Sequence, residues 1–201
     1  MMALADGFGL PKRRHVALDV GCGVGRLTRV LGEVFDRCVA VDVSPVMVDQ
    51  ARLLNMDRPN LRFEVASGDA LAAFEDGEFD FVCSIIVLQH LPFRSVLERA
   101  IAELCRVLRP GGALVFQLPT HVPPRHRIQA RPRLYRALRR VGAPPTLLLR
   151  AGLIPISVRS LPEATVRRCV VEAGGRVEKV VTETETTGVR SATYVVSQEM
   201  S

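Results

Sequence analysis

No two cysteines of this chain are separated by just two residues. The five present (Cys22, Cys38, Cys83, Cys105 and Cys169) are scattered and odd in number. That argues against a zinc site or a disulfide framework and for reduced thiols packed in a core. No apolar run approaches the roughly 20 residues that a membrane-spanning helix needs. The stretch Met1 to Leu10 lacks a basic start followed by a long apolar core, so no signal peptide is read there and the expected location is cytoplasmic. Internal repeats and low-complexity tracts are missing too. Lysine is scarce: Lys12 and Lys179 stand beside 25 arginines. Such a bias points to a GC-rich genome and devalues arginine content as a functional signal. A local absence says more. From Pro119 to Leu161 there is no Asp or Glu, while nine arginines fall there (125, 127, 131, 133, 136, 139, 140, 150 and 159). Outside that segment acidic residues outnumber basic ones, 21 to 18, so the formal net charge of +6 belongs to one stretch of chain.

What is present fits one folded domain. A chain of 201 residues with 48% hydrophobic content can bury a sizeable core. His15 to Val20 is a short apolar run ending at a glycine cluster, the pattern of a buried parallel strand. Apolar residues at 24, 27, 31, 34 and 35 then recur at helical spacing. Cys38 to Val43 reads as a second strand, and Ser44-Pro45 as the cap and first turn of a helix. Leu61 to Val65 and Phe79 to Val87 read as strands three and four. Leu97, Ile101, Leu104 and Leu108 mark one helix face, Pro110-Gly111-Gly112 its end, and Ala113 to Leu118 a fifth strand. The expected fold is α/β: a Rossmann-like, doubly wound, mostly parallel seven-stranded sheet. Its last strand is antiparallel, because Arg176 to Thr182 and Ala192 to Ser197 form a hairpin around Thr186-Thr187-Gly188. Residues 1–201 are read as one domain. Pro119 to Pro162, with seven prolines between positions 119 and 155, breaks the rhythm into short helices such as Leu134 to Val141 and Thr146 to Leu153. Pro162 to Ala173 resumes as a helix that Gly174-Gly175 stops.

The glycine turn after the first strand carries the functional signal. Gly21 and Gly23 let the backbone turn sharply and approach a ligand without Cβ atoms in the way. Gly25 permits close packing where the helix begins, and Asp42, ending the second strand, stands where a carboxylate grips ribose hydroxyls. Such a turn alone is a weak nucleotide signal. Two residues narrow it. Arg26 occupies the place of the last small residue in a dinucleotide fingerprint, where a pyrophosphate needs a clear helix N-terminus. Asp19, just before the turn, would repel a pyrophosphate but suits a cationic ligand. S-adenosylmethionine has a sulfonium and an amino group and no phosphate. An NAD-dependent oxidoreductase is thereby disfavoured.

Leu18-Asp19-Val20-Gly21-Cys22-Gly23-Val24-Gly25 resembles motif I of the class I S-adenosylmethionine-dependent methyltransferases. The similarity continues through Val41-Asp42-Val43-Ser44, Gly68-Asp69-Ala70, Phe79-Asp80-Phe81-Val82 and Leu108-Arg109-Pro110-Gly111-Gly112. It covers about residues 15 to 118 densely and the last strands loosely. It is strongest to the small-molecule branch often called type 11 or type 25. The resemblance implies that Asp19 and the backbone of Gly21, Cys22 and Gly23 hold the methionine moiety of S-adenosylmethionine. It implies that Asp42 binds the ribose and Val43 packs on adenine. Asp69 would accept from the adenine amino group with the Ala70 amide nearby, and Ser84 and Ile85 would contact the methionine end. Cys22 is read as a packing residue, since the turn offers no base to make it a nucleophile. No metal site is expected.

Methyl transfer is an in-line displacement at a positive sulfur, so the enzyme aligns the acceptor and excludes water. A hydroxyl acceptor gains from a base. His90, just beyond the fourth strand at the carboxyl edge, is the candidate, with loop ordering as its other role; His121 and His126 are alternatives. The chain has Ser84-Ile85-Ile86-Val87 where amino-methylating relatives carry an Asn/Asp-Pro-Pro-Tyr/Phe signature, which disfavours nucleic acid as substrate. The arginine segment pulls the other way, toward RNA or an anionic membrane surface. Residues 119–162 are read as an inserted substrate lid, with a solvated basic surface as the plain alternative. The expected acceptor is a small molecule, glycan or glycolipid, methylated on oxygen; a non-catalytic cofactor-binding protein is the further alternative. Relatives have a helix before the first strand that helps close the site, and only about fourteen residues precede that strand here.

Overall fold

The glycine turn sits at one end of a sheet whose strands are short and buried. β1 (Val16–Val20), β2 (Arg37–Asp42) and β3 (Leu61–Val65) pair in parallel, and β4 (Phe79–Ser84) pairs with β1 on its other side. β5 (Leu108–His121) runs parallel to β4. β6 (Gly175–Thr184) and β7 (Arg190–Gln198) close the sheet, β7 antiparallel to both β5 and β6. The order β3-β2-β1-β4-β5-β7-β6 is the expected doubly wound arrangement, and the antiparallel last strand is borne out. The computed structural model describes residues 2–66, 71–123, 130–152, 158–184, 186 and 188–198.

Alternation along the strands splits the core in two. One face carries Leu18, Val39, Phe79, Val82, Leu114 and Phe116. They pack under α4 (Arg94–Arg106) and α7 (Glu163–Glu172), whose Leu97, Ile101, Leu104 and Val166 are fully buried. Burying each such side chain contributes roughly 1.5–3 kcal/mol. The other face carries Ala17, Cys38, Phe81, Cys83 and Val115 under α1 (Met2–Asp6) and α2 (Arg26–Leu31). α3 (Pro45–Leu54) buries Val48 and Ala51 against Ala40 and Phe63, and opens with Ser44 accepting from the Met47 N–H at 3.4 Å, as its sequence foretells.

The structure departs from the sequence reading at element ends. β4 stops at Ser84 rather than Val87, because Ile86 takes a left-handed φ of 61° and swings the chain out of the sheet. β5 begins at Leu108, so Pro110-Gly111-Gly112 lies inside the strand, at an irregularity in its pairing with β4. Arg109 explains this: its guanidinium donates to the Gly77 and Glu78 carbonyls and to Asp80, clamping that stretch to β4 before the glycines. α2 is shorter than its apolar spacing suggests, ending where Gly32 caps it. The described part of the β3–β4 connection, residues 71–78, carries no helix. In the basic segment the helices are α5 (Ala130–Arg140) and α6 (Pro145–Arg150); Leu153, the expected end of the second, lies outside the described residues. The hairpin forms, but Thr187 of its turn also lies outside them.

Candidate active site

The carboxyl ends of β1, β2 and β4 splay around a cleft of about 280 Å³. Val20, Gly21, Val41 and Asp42 form its floor and one side, Val43 and Ala66 continue that side, and Ile86, Val87 and His90 face them. The glycine turn is pinned from below, Gly21 and Cys22 donating their N–H groups to the Val41 carbonyl at 2.8 and 3.0 Å. Gly21 has φ 81°, and a Cβ there would lie 2.2 Å from Cγ2 of Val87, inside the wall of the cleft. Gly25 also has φ 81°, and its missing Cβ makes room for Phe63 and Asn55, the close helix-to-sheet contact expected of it. Gly23 borders open space.

Asp42 is the charged centre of this cleft. Its Oδ2 accepts from the Gly23 N–H and its Oδ1 from the Ser44 N–H, both at 2.9 Å. Each oxygen keeps a second acceptor site. No cation pairs with it among the described residues. The carboxylate is therefore oriented by backbone alone and left with capacity for a ligand.

Other expected site residues are placed differently. Asp19 lies beneath the turn, 2% exposed, and lines none of the cleft. Its Oδ2 accepts from the Thr28 hydroxyl at 2.7 Å and its Oδ1 faces the Cys83 thiol at 3.6 Å. Burial raises its pKa, against the lowering effect of those hydrogen bonds. Cys22 packs against the α3 cluster, and burial, with Asp19 and Asp42 nearby, pushes its thiol up to about 12. That fits the packing role. Ser84 is fully buried with a hydroxyl that meets no partner, and Ile85 packs into the α1–α2 face. Neither lines the cleft; the next two residues, Ile86 and Val87, do. His90 ends a short 3-10 turn, Leu88–His90, and is exposed at the cleft mouth, with Nε2 3.4 Å from the Gln89 amide nitrogen. His121 ends β5. Asp69, Ala70 and His126 lie outside the described residues.

Sequence reasoning missed Val20, Val41, Ala66, Ile86 and Val87. The first two are the last apolar residues of their strands and were findable by that rule. Ile86 had no signal, since its left-handed backbone is not written in a β-branched residue. A larger hollow of about 620 Å³ lies at the opposite edge of the sheet. Its one cation is already engaged, Arg106 pairing with Asp76 at 2.7 Å and with Glu103 at 2.8 Å. Among the described residues no group of three His, Cys, Asp or Glu could hold a metal ion.

A model of the type 11 methyltransferase domain matches residues 18–116, the span from β1 through most of β5. This chain belongs to the class I S-adenosylmethionine-dependent methyltransferases. Within that family it is 35% identical over 121 residues to a ubiquinone biosynthesis O-methyltransferase of Xanthomonas campestris, covering 60% of this chain and 48% of the relative. A 2-methyl-6-phytyl-1,4-hydroquinone methyltransferase of Synechocystis is 38% identical over 100 residues, 49% of this chain and 30% of that one. The chain thus spans at most about half the length of these curated relatives. In fold it is similar to the magnesium protoporphyrin IX methyltransferase of Synechocystis, solved with bound S-adenosylhomocysteine. That match has a TM-score of 0.66 at 20% identity and covers 98% of this chain and 79% of that one. The matched methyltransferase model ends before the acid-free segment begins.

Proposed function

We propose that this methyltransferase chain transfers a methyl group from S-adenosylmethionine to a hydroxyl of a small-molecule acceptor. The observation that carries the reading is Asp42, a carboxylate without a cation among the described residues, aimed by two backbone N–H groups into a cleft whose only other polar side chain is His90 at the mouth. Such a group suits a ribose diol, and Val43, Ala66 and Ile86 suit the faces of an adenine ring. The residues present fit the cofactor: the space beside Gly23 is open, and the Asp42 carboxylate at the turn suits a diol and a cationic ligand rather than a pyrophosphate. The buried Asp19 would act on the methionine end through its charge below the turn rather than as a direct ligand, and Asp69 and Ala70 are proposed on the adenine edge by family resemblance.

The bound cofactor supplies a methyl group on a cationic sulfur. The chain has to bring an oxygen into line with it and remove that oxygen's proton. His90 sits at the cleft mouth for this and would take the proton on Nε2 in place of its long contact to Gln89. Ile86 and Val87 exclude water from the approach. Residues 119–162 are proposed as the acceptor's cover, tied back to the site where Arg159 N–H donates to the Gln89 carbonyl at 2.9 Å. The names of the two curated relatives favour a phenolic, quinol-like acceptor over a glycan. The first of them names oxygen as its own methylated atom, which favours oxygen here. Five free cysteines suit a reducing, cytoplasmic setting. No helix among the described residues is long and apolar enough to cross a membrane.

Titration calorimetry with S-adenosylhomocysteine and with NAD tests the cofactor, and methyl-labelled S-adenosylmethionine with catechol tests the transfer. The expected outcome is binding of the first ligand only and label in an aryl ether. Binding of NAD alone would overturn the reading.

A further inference from the structure

Beside the cofactor cleft, on the far side of Gln89, lies a second hollow of about 250 Å³. Arg94, Arg159 and Ser160 supply its polar wall, and Leu97, Val122 and Leu161 its apolar one. It is formed where the acid-free segment returns to the fold. Arg159 N–H holds the Gln89 carbonyl, and Leu161 N–H donates to the Pro119 carbonyl near the end of β5 at 3.1 Å. Gln89 adjoins His90, so the hollow stands next to the mouth of the cofactor cleft, on the same carboxyl edge of the sheet.

Its charge is unbalanced. Arg159 Nε is buried and meets no hydrogen-bond partner. Among the described residues no carboxylate pairs with that guanidinium. A buried N–H without an acceptor carries a desolvation cost that a bound oxyanion removes. Arg94 is partly engaged, its Nε donating to Glu98 Oε1 at 2.8 Å and its Nη2 lying 3.4 Å from Thr165 Oγ1. It nonetheless places a cation in the first turn of α4, against the helix dipole, and an anion nearby would relieve that. The segment that supplies Arg159 has nine arginines and no acid, so it offers that guanidinium no carboxylate of its own.

We propose that this hollow binds a carboxylate on the methyl acceptor, with Arg159 as the specificity-determining residue, a role that rests on the methyl-transfer reading above. The guanidinium would take the carboxylate, and the apolar body of the acceptor would lie along Leu97, Val122 and Leu161. The hydroxyl to be methylated would then project past Gln89 toward His90. The acceptor class is an amphipathic phenol carrying one carboxylate.

The test is calorimetric titration of the full chain with benzoate, benzamide and inorganic phosphate, repeated on Arg159→Gln and Arg159→Lys. Benzoate should bind about tenfold or more tightly than benzamide, and Arg159→Gln should lose about tenfold of benzoate affinity. Arg159→Lys, which keeps the charge but not the fork, should fall between. Affinity for S-adenosylhomocysteine should stay within about twofold in both variants, and unchanged circular dichroism melting serves as a folding check. Equal binding of benzoate and benzamide, no benzoate binding, or an unaffected Arg159→Gln would overturn the proposal. Phosphate binding tighter than benzoate would also overturn it, in favour of a phosphorylated ligand. If benzoate binds but S-adenosylhomocysteine does not, the methyl-transfer reading fails while the carboxylate hollow stands.

Discussion

Asp80 and Asp42 stand at opposite edges of the same sheet, and each accepts two backbone N–H groups. At the amino edge Asp80 Oδ2 takes the N–H groups of His15 and Val16 at 3.0 Å, holding the start of β1. Its other oxygen takes Arg109 Nη1 at 2.7 Å, and the residue is 2% exposed. At the carboxyl edge Asp42 is half-buried, holds the turn through Gly23 and the helix start through Ser44, and has no partner of opposite charge among the described residues. The difference is the cation. With one, a buried carboxylate is fully spent on holding strands together. Without one, the same side chain retains charge and acceptor capacity for a ligand. Hollow size does not separate the two edges, since the larger space belongs to the amino edge, where Arg106 is already paired with Asp76 and Glu103.

The comparison breaks most visibly at Asp80. Asp80→Ala leaves Arg109 and two backbone N–H groups without their acceptor. Stability should fall toward the lower end of the ~3–5 kcal/mol seen when one partner of a buried pair is removed, because the Arg109 side chain is 34% exposed. Urea midpoints read this directly, and a drop of under about 1 kcal/mol would remove the clamp. Asp42→Ala should do the reverse. S-adenosylhomocysteine binding should weaken by about 1–3 kcal/mol while the urea midpoint moves less than in Asp80→Ala. Unchanged affinity would rule out the ribose contact.

The smallest effect concerns the third aspartate, Asp19, which lies between the two edges. Burial raises its pKa, so the folded state binds its proton more tightly than the unfolded chain does. The stability it contributes is complete below the ordinary carboxylate pKa and is lost as pH rises through the raised value. Asp19→Asn cannot titrate but can still accept from Thr28. Across about pH 4 to 7 its stability should therefore fall less steeply with rising pH than the wild type's, and at neutral pH it should be no less stable. Parallel pH profiles in urea denaturation would show that burial does not govern this group.

Much of the fold was legible because its signals are local. Buried parallel strands announce themselves as short apolar runs, Ser44-Pro45 as a helix start, and the Leu97, Ile101 and Leu104 stripe as a core face. Strand ends were less legible. The apolar run continues past Ser84 because Ile85 and Val87 still pack, though on opposite sides of a backbone that has left the sheet. Pro110-Gly111-Gly112 reads as punctuation, yet Arg109 holds it inside β5. In the site, Asp42 and the glycines were found by their place after a strand. Ile85 was chosen where Ile86 lines the cleft, because a single left-handed residue shifts which side chain faces the ligand.

By itself the sequence determined the sheet, the glycine turn and the strand-ending acid, and through them the cofactor family. Those depend on neighbours only a few residues apart, where spacing and residue type translate directly into backbone geometry. Only the tertiary structure decided which acid faces the cleft, since Asp19 and Asp42 differ in what lies above and below them in the sheet. It alone set Arg159 beside Gln89, some seventy residues away. Unmatched charge at a site is a property of everything packed around it, and no local pattern in the chain records it.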